Sequence, residues 1–414
     1  MKRILLTGNG SAAWGARLAG IDYLPAFPIT PQTEIIETIA KWIDSGVMRC
    51  RMVTLESEHS MMTAAGAAAA TGVRVFTATS SQGLLYAMEM LYTVAGWRVP
   101  FVLVNVSRGL SAPITLEPDH NDILAARDSG FLQIHCSTCQ EVLDSVLLAY
   151  RLAEHPGVRL PVIVNMDGFY LSFTREPVEV PNPALAAEFV GAFAPEGMSF
   201  RATAPVSQAV AVLGGSPYSY FRYETHLAAQ NALSAYGTIA KDFERTFGRR
   251  RDAVEEYRME DAELAFVMIG SFATKAMDAV DRLREAGWAI GLVRPRLLRP
   301  FPVDRLREAL AGMSGVAVID QNLSVGKGGI LWTEIASALY GGERAPLLVS
   351  FIGGLGGRDI TLEEFYEMAS VTRKAVETGK APPARLLYTE AELREVRKLQ
   401  AVAHVERREL EPSR

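Results

Sequence analysis

The stretch Thr54–Gly72, TLESEHSMMTAAGAAAATG, joins the end of a β-branched run to a helix built almost entirely of small residues. A strand followed directly by a helix is the repeating unit of a parallel α/β sheet. The stretch places Glu56, Glu58 and His59 at the carboxyl end of the predicted strand, where parallel sheets bind ligands. The helix has too little side-chain volume to fill a core alone, so we expect another segment to pack very close to it.

The same alternation of strands and helices continues on both sides of this stretch. In the first part of the chain it predicts the strands Ile4–Thr7, Tyr23–Ala26, Met52–Leu55, Val73–Thr77, Val102–Val106 and Leu160–Met166, and the helices Thr33–Ile43 and Ser60–Gly72. Further on it predicts the strand Leu264–Gly270, the helix Thr274–Ala286, the strand Ala289–Pro295, the helix Val303–Ala311, and the strands Val316–Asp320 and Leu347–Ile352. This rhythm is typical of an α/β fold, and we predict two parallel-sheet domains.

The composition changes between the two predicted sheets. From Pro181 the chain is rich in proline and then in aromatic and turn residues, and a charged helix is predicted over Ala228–Arg245. The residues after Pro382 have the pattern of a polar helix. We therefore expect a first α/β domain over 1–190, an irregular or helical linker over 191–261, a second α/β domain over 262–381 and a helical tail over 382–414.

The bulk composition is that of a globular protein, with 49% hydrophobic and 21% charged residues among 414. A formal net charge of −5 gives no reason to expect nucleic acid or a membrane surface as a partner. The arginine run 249–251 is expected to be a solvated surface cluster.

Three cysteines suit a reducing compartment, and no segment has the pattern of a signal peptide or a membrane span. We therefore expect a cytoplasmic protein. Cys136 and Cys139 have CxxC spacing, but no second pair completes a zinc or iron–sulfur set, so we expect no metal site on this chain.

Thr30 stands between two prolines in the stretch PAFPITPQTEIIETIA, at the start of a predicted helix. Threonine is a good N-cap, and Pro31 suits the first helical position. A fixed hydroxyl beside unpaired N–H groups at a helix start also makes an anion site. The stretch alone leaves both interpretations open.

Two charged residues follow predicted strands at their carboxyl ends. Glu58 either complements the positive end of the helix or is a buried carboxyl that shares a proton with a ligand. Arg108 either lies on the surface or binds a carboxylate substrate through paired hydrogen bonds. The acidic stretch Asp119–Asp122 is better explained by helix capping and loop hydrogen bonds than by a metal site or an acid–base pair.

Two glycine-rich stretches are further candidates for ligand sites. Gly8–Ala13 follows a predicted strand, but the acidic residue of a dinucleotide site is missing at the expected distance. Gly353–Asp359 is a tight strand-to-helix turn, which serves either the fold alone or the close approach of a ligand.

Six stretches occur together in a characteristic order, between about residues 7 and 361. They are FPITPQTEIIETIA, ESEHSMMTAAGAAAATG, FTATSSQGLLYAMEMLY, LSAPITLEPDHNDILAARDSGF, LLRPFP and GGLGGRD. Together they resemble the alpha subunit of 2-oxoacid:ferredoxin (or other acceptor) oxidoreductases of the pyruvate synthase type. The resemblance implies a pyrimidine-side domain of a thiamine diphosphate enzyme followed by a transketolase C-terminal-like domain.

The resemblance also implies roles for three residues. Glu58 matches the glutamate that contacts the aminopyrimidine ring of thiamine diphosphate and shares a proton with it. Thr30 and Arg108 match residues that hold the carboxylate of the 2-oxoacid. The implied activity is oxidative decarboxylation of a 2-oxoacid to acyl-CoA and CO2, with coenzyme A as co-substrate and electrons passing to iron–sulfur clusters.

Two family motifs are missing from this chain. The GDG motif that binds the diphosphate and Mg²⁺ does not occur, and no cysteine run could hold a 4Fe–4S cluster. The resemblance therefore implies a beta subunit for the diphosphate and Mg²⁺, a gamma subunit and a ferredoxin-like iron–sulfur subunit.

The sequence departs from pyruvate-specific members at two places. Thr115–Pro118 replaces an Asn-Ile-Trp-Asn stretch, and Phe27 stands where tyrosine is usual. One interpretation is that the changes enlarge the substrate pocket, and phenylglyoxylate is then our leading substrate beside pyruvate. The other is that the loop has drifted in sequence without contacting the substrate. Alternative functions are a subunit of a non-redox thiamine enzyme of the transketolase or decarboxylase type and a catalytically silent assembly subunit.

Overall fold

The computed structural model of the chain describes residues 2–193, 200–208, 210–342 and 345–410. Within these ranges, no helix combines the length and the apolar character needed to cross a lipid bilayer.

The first part of the chain alternates short strands with helices. Its elements are β1 (Lys2–Leu6), α1 (Gly8–Ala19), β2 (Tyr23–Ala26), α2 (Thr33–Asp44), β3 (Arg51–Thr54), α3 (Glu58–Ala70), β4 (Phe76–Thr79), α4 (Gln82–Tyr86), α5 (Met88–Trp97), β5 (Val102–Ser107), α6 (Asn121–Ala125), β6 (Leu132–His135), α7 (Cys139–Ala153), β7 (Val162–Asp167), β8 (Glu176–Val180) and α8 (Pro183–Val190).

The second part begins with a long helix and returns to the same alternation. Its elements are α9 (Gly215–Phe247), β9 (Val254–Tyr257), β10 (Leu264–Val267), α10 (Phe272–Glu285), β11 (Ile290–Pro295), β12 (Leu297–Arg299), α11 (Val303–Ala309), β13 (Gly315–Asp320), α12 (Ile330–Leu339), β14 (Leu347–Ile352), a 3₁₀ turn (Leu355–Gly357), α13 (Leu362–Thr378), β15 (Arg385–Leu386) and α14 (Glu390–Leu410).

Two largely parallel sheets organise these elements. The first has the strand order β12-β6-β7-β5-β4, with β12 antiparallel at its edge. The second has the order β15-β14-β13-β10-β11-β9, with β9 antiparallel to β11. The parallel pair β2-β3 reaches toward the first sheet through a bridge between Tyr23 and Val75. The predicted fold class, α/β with two parallel-sheet units, is confirmed.

The two units share a sheet. The edge strand β12 comes from the second part of the chain but pairs with β6 of the first sheet. β1 also differs from the predicted arrangement, because it pairs only with β8, in a separate antiparallel sheet. Ile4 and Leu6 on β1 pack against the core, but Leu5 on the opposite face is largely exposed, so β1 is covered on one face only, as is common in antiparallel pairs.

The small-residue helix α3 packs against α5, as its composition predicts. A Cβ atom on Gly66 would lie 2.5 Å from a methyl group of Val94 and 3.1 Å from the ring of Trp97. The two helices therefore approach so closely that a side chain at position 66 would not fit between them.

The charged helix predicted over Ala228–Arg245 is longer and more deeply packed than the sequence suggests. α9 spans 33 residues, and its buried residues recur three or four positions apart over its second half, from Ala232 to Phe247. Phe189 on α8 packs edge-on against Phe243 and Phe247, with ring centroids 5.3 Å apart. This half of the helix thus belongs to the core of the first unit.

The prediction that arginines 249–251 form a solvated surface cluster is wrong for two of the three residues. Arg249 and Arg251 both form ion pairs with Asp144, whose side chain is completely buried on α7. Arg250 alone is largely exposed. The run of three like charges is thus tolerated because the buried Asp144 carboxylate pairs with two of them and Glu179 gives Arg249 a second anionic partner.

A second buried ion-pair cluster joins the two units. Glu141 on α7 accepts hydrogen bonds from Arg294 Nη2 (2.6 Å) and Arg296 Nη2 (2.9 Å), and all three side chains are nearly inaccessible to solvent. Burial alone would raise the pKa of Glu141, but the two guanidinium groups outweigh it and hold that pKa well below its usual value.

Candidate active site at the carboxyl ends of β3, β4 and β5

Glu58 is the first residue of α3, directly after the turn that follows β3. The hydroxyl of Ser57 caps this helix by accepting a hydrogen bond from the backbone N–H of Ser60 (3.2 Å). Glu58 is 5% exposed, and its carboxyl group receives no side-chain hydrogen bond from any described residue. Burial raises the pKa of Glu58. The group therefore holds its proton more tightly than an exposed glutamate does.

Gly83 forms the wall behind this carboxyl group. A Cβ atom at position 83 would lie 2.5 Å from Glu58 Oε1 and 2.6 Å from the hydroxyl oxygen of Thr79. Gly83 lies in the first turn of α4, after the end of β4. The missing side chain thus lets the loop after β4 press directly against Glu58.

The neighbours of Glu58 in sequence occupy different surroundings. Glu56 is exposed and accepts a hydrogen bond from the hydroxyl of Ser60, and that bond lowers the pKa of Glu56. His59 lies 3.4 Å from the carboxylate of the exposed Glu89. Of the three polar residues that the sequence singles out at this strand end, Glu58 is the buried one.

Arg108 lies at the next strand end, directly after β5, and is 7% exposed. Its Nη1 donates to the carbonyl oxygen of Thr30 (2.7 Å), and its Nη2 donates to Oε1 of Gln82 (2.7 Å). Its Nε is buried and has no hydrogen-bond partner among the described residues. Burial lowers the pKa of Arg108, although that of a guanidinium stays far above neutrality.

Arg108 differs from the other buried arginines in the described part of the chain. Arg74, Arg294 and Arg296 each form an ion pair with a glutamate. Arg108 forms no ion pair with a described residue, and both its side-chain partners are neutral carbonyl oxygens. An uncompensated buried charge is costly, so this arrangement favours an anionic ligand at the guanidinium.

Thr30 lies beside Arg108, but its main-chain carbonyl makes the contact. Its side chain is exposed, and the hydroxyl has no hydrogen-bond partner among the described residues. The N-cap interpretation of Thr30 is wrong, because α2 begins at Thr33 and its N-cap is Gln32. The cause is a turn closed by the N–H of Gln32 and the carbonyl of Ile29 (3.0 Å), which delays the helix.

Asp122 ties the loops after β4 and β5 together. Its completely buried carboxylate accepts hydrogen bonds from Asn105 Nδ2 (3.1 Å) and Ser107 Oγ (2.9 Å). It also accepts from the backbone N–H groups of Ser81 (3.0 Å) and Arg108 (3.3 Å). The sequence interpretation of Asp119–Asp122 as helix capping and loop hydrogen bonds agrees with the backbone donors, but it misses the side-chain donors, because these come from β5.

His120 connects the first unit with the second. Its Nε2 lies 2.7 Å from Oδ1 of the buried Asp167, whose Oδ2 accepts from the backbone N–H (2.7 Å) and the hydroxyl (2.5 Å) of Ser271. Burial disfavours the charged ring, but the Asp167 carboxylate outweighs it and raises the pKa of His120. Gly270 precedes Ser271 with φ = 81°, and a Cβ there would lie 2.7 Å from the His120 ring.

The two glycine-rich stretches serve the fold. In the first, a Cβ on Gly8 would lie 2.6 Å from the carbonyl oxygen of Leu171, so the stretch lets α1 pack closely. In the second, the N–H of Gly357 donates to the carbonyl oxygen of Pro118 (2.8 Å), and its carbonyl accepts from the hydroxyl of Tyr170 (2.5 Å). The second unit therefore rests on the loop 115–118, where the sequence departs from pyruvate-specific members.

The two cysteines with CxxC spacing are both buried. Burial raises the pKa of the Cys136 thiol to about 12 and that of Cys139 further still. Cys139 lies at the start of α7, where its Sγ is 3.4 Å from the carbonyl oxygen of Thr174. Neither thiol is therefore prepared for nucleophilic or redox chemistry.

Two family models match the chain. The thiamine diphosphate-binding region of pyruvate flavodoxin/ferredoxin oxidoreductase matches residues 14–243, and core domain II of pyruvate:ferredoxin oxidoreductase matches residues 262–365.

Several named relatives match over nearly their whole length. Pyruvate synthase subunit PorA from Pyrococcus abyssi is 39% identical over 91% of this chain and 95% of its own. PorA from Thermotoga maritima is 42% identical over 88% of this chain and 92% of its own. Ketoisovalerate oxidoreductase subunit VorA from Pyrococcus horikoshii is 39% identical over 91% of this chain and 95% of its own.

Two solved structures share the fold at lower identity. The first is a 2-oxoglutarate:ferredoxin oxidoreductase from Magnetococcus marinus with 2-oxoglutarate, coenzyme A and succinyl-CoA bound. It matches with a TM-score of 0.70 at 21% identity, and the match covers 90% of this chain and 65% of that chain. A split-gene transketolase, an inactive beta4 tetramer, matches with a TM-score of 0.53 at 14% identity, over 87% and 97%. These two structures show the fold alone, whereas the family models and the relatives confirm the resemblance: this chain belongs to the pyruvate flavodoxin/ferredoxin oxidoreductase family.

Proposed function

We propose that this chain is the alpha subunit of a multi-subunit, thiamine diphosphate-dependent, CoA-acylating 2-oxoacid oxidoreductase. The reaction converts a 2-oxoacid and coenzyme A to acyl-CoA and CO2, and it releases two electrons and a proton. The relatives at 36–42% identity, which are pyruvate synthase and ketoisovalerate oxidoreductase subunits, support this assignment. The observation that carries it is the buried Arg108, which has no carboxylate partner among the described residues and lies close to the buried Glu58.

The residues at this site fit the thiamine part of the cofactor. The carboxyl group of Glu58 is buried, has a raised pKa and lacks a side-chain partner within the described ranges, as expected of a group that faces a ring nitrogen. When bound, thiamine diphosphate supplies the carbon nucleophile that attacks the keto group and accepts the electron pair left by CO2. Glu58 would hold the proton that it shares with the aminopyrimidine ring.

Arg108 and Thr30 would bind the substrate carboxylate. The Nε–H of Arg108 and the hydroxyl of Thr30, neither of which has a partner in the part of the chain that the structure describes, are two donors that a carboxylate could accept from. A fixed guanidinium also places the carboxylate that leaves as CO2 in one orientation relative to the cofactor.

The remaining parts of the reaction belong to other chains in this proposal. The chain carries neither the GDG motif nor a cysteine run for a cluster. A beta subunit would bind the diphosphate and Mg²⁺, and a gamma subunit and a ferredoxin-like subunit with 4Fe–4S clusters would complete the complex and carry the electrons. The proposed domain limits at residues 190, 261 and 381 place the site within the first domain.

The test uses the native complex, isolated through a tag on this chain. Glu58→Gln should leave the complex assembled and slow CoA-dependent reduction of a viologen dye about 10²-fold or more, because a proton-transfer group is lost. Arg108→Ala should mainly raise KM for the 2-oxoacid. The matched control is Glu56→Gln, which changes an exposed neighbour of the same charge. Near-normal turnover of Glu58→Gln, or an unchanged KM of Arg108→Ala, would contradict the corresponding role.

The substrate follows from the same assay with pyruvate and phenylglyoxylate side by side. Phe27 and the loop 115–118 replace bulkier or more polar residues of pyruvate-specific members, so we propose phenylglyoxylate beside pyruvate as substrate. Activity with phenylglyoxylate alone would tie these changes to an enlarged pocket. Activity with pyruvate alone would mean that these sequence changes do not affect the choice of substrate. An intact brown complex that oxidises neither pyruvate nor phenylglyoxylate would rule out both substrates.

A further inference from the structure

The segment Thr79–Gly83 lies between the two ionisable groups of the proposed site, Glu58 and Arg108. Gly83 lies against the Glu58 carboxyl group, and the preceding residue, Gln82, contacts Arg108. We propose that Gln82 is the positioning residue of the carboxylate site: it orients the Arg108 guanidinium through a neutral oxygen and leaves its positive charge available to the substrate. This inference rests on the carboxylate-binding role proposed for Arg108.

The orientation of the Gln82 side chain is determined by three hydrogen bonds. Its Oε1 accepts from Arg108 Nη2 (2.7 Å) and from the hydroxyl of Ser81 (2.6 Å), and its Nε2 donates to the hydroxyl of Ser111 (2.9 Å). The opposite amide orientation would turn its N–H groups toward the guanidinium, which has donors only. The oxygen of Gln82 therefore faces Arg108.

The backbones that carry Gln82 and Arg108 are fixed to each other. One carboxylate oxygen, Oδ2 of Asp122, accepts from the N–H of Ser81 and from the N–H of Arg108. The hydroxyl oxygen of Ser81, whose single proton is directed to Gln82, also lies 3.0 Å from the carbonyl oxygen of Gly109, the residue after Arg108. Ser81 has φ = 49°, a conformation that these contacts maintain. These contacts thus fix the backbone positions of Gln82 and Arg108 relative to each other.

The chemical identity of Gln82 decides the charge of the site. Its oxygen lies within ion-pair distance of Arg108, so a glutamate of the same length would neutralise the guanidinium. The other side-chain partner, the carbonyl of Thr30, is neutral as well. Asp122 is a buried anion nearby, but its hydrogen bond to Arg108 goes to the backbone N–H, not to the guanidinium. An amide at position 82 holds the arginine without competing for its charge.

The test compares three variants in the tagged native complex. Gln82→Glu places an anion at the guanidinium, Gln82→Met removes the acceptor at similar size, and Gln230→Glu makes the same chemical change on the exposed face of α9. KM and kcat are measured for the 2-oxoacid, and KM for coenzyme A, and the cluster content of each complex is measured beside them.

For Gln82→Glu we expect KM for the 2-oxoacid to rise about tenfold or more, with kcat changed less than about threefold and KM for coenzyme A unchanged. Gln82→Met should raise the same KM by a smaller factor, and Gln230→Glu should behave as the wild type. An unchanged KM in both Gln82 variants would overturn the inference. So would parallel losses for both substrates with reduced cluster content, because they indicate a structural role.

Arg108→Ala, measured in parallel, separates this inference from the proposed function. If Arg108→Ala raises KM for the 2-oxoacid and the Gln82 variants do not, the positioning role alone fails. If Arg108→Ala also leaves KM unchanged, the carboxylate-binding role of Arg108 fails with it.

Discussion

At the scale of single residues, the position of the Glu58 carboxyl group depends on the absence of a side chain at Gly83. Gly83→Ala would bring a methyl group against both the Glu58 carboxyl and the Thr79 hydroxyl, so one of them must move. We expect kcat of the complex to fall about tenfold to 10²-fold, because misplacing a reacting group by about 1 Å has effects of this size. Gly96→Ala on α5, where the new methyl group meets no atom within 4 Å, is the control and should keep full activity. Equal activity of the two variants would contradict the contact.

His135 makes the stability of the chain depend on pH. Burial, the neighbouring His120 and Arg294 lower its pKa to about 3, whereas an unfolded histidine has a pKa of about 6.5. Between these values the unfolded chain binds the additional proton. This site therefore reduces the free energy of unfolding by up to about 1.4 kcal/mol for each unit that the pH falls from 6.5 toward 3.

His135→Gln should remove this contribution. Urea unfolding of the full chain at pH 7, 6 and 5 should show a weaker loss of stability in the variant than in the wild type. His155→Gln, at an exposed histidine, should retain the wild-type dependence. The same loss of stability in His135→Gln as in the wild type would mean that His135 is charged in the folded chain.

At the scale of elements, α12 depends on a buried carboxyl group at its start. Asp320 accepts from the N–H groups of Leu331 (2.7 Å) and Trp332 (3.1 Å), yet burial still raises the pKa of Asp320 to about 7. Gly329 is required here, because a Cβ atom on it would overlap the Asp320 carboxyl group. The helix start and the end of β13 can therefore meet only if residue 329 has no side chain.

Gly329→Ala should thus separate Asp320 from the helix it caps. We expect the free energy of unfolding to fall by about 2 kcal/mol or more, from overpacking and the loss of buried hydrogen bonds. Gly237→Ala within α9, where a methyl group meets open space, should instead raise it by about 0.5–1 kcal/mol. Urea unfolding of both variants tests the difference, and a Gly329→Ala chain as stable as the wild type would refute the overlap.

At the scale of the whole molecule, Glu141 joins the two α/β units. It lies on α7 of the first unit and binds two arginines from the end of β11 and the residue after it. Removing one partner of a buried ion pair leaves an uncompensated charge, which costs about 3–5 kcal/mol. We therefore expect Glu141→Gln to lower the free energy of unfolding of the full chain by about this amount.

The matched control for Glu141→Gln lies on the surface. Glu308 pairs with Arg305 with both side chains at least half exposed, so Glu308→Gln should change the free energy of unfolding by less than about 1 kcal/mol. A comparable small effect of Glu141→Gln would show that the two units are not held together by this cluster.

The sequence by itself determined the fold class and the elements with strong local patterns. β2 and β14 occupy their predicted residues, and α3 packs as closely as its small residues require. These features follow from side-chain periodicity and volume, which are local properties of the chain. The same reasoning placed Glu58 and Arg108 at strand ends, because a parallel sheet brings its carboxyl ends to one edge.

Only the tertiary structure decided which polar groups meet. Asp144 neutralises Arg251 across 107 residues, Glu141 meets Arg294 across 153, and His120 meets Asp167 across 47. No periodicity encodes such pairs, since they depend on which strands become neighbours. The same holds for Arg108: its sequence position leaves a surface arginine and a carboxylate site both open, and only the packed structure shows that its side chain is buried against neutral oxygens and lacks a carboxylate partner among the described residues. The reason is that burial and pairing are set by contacts between distant segments, which form only when the two sheets assemble.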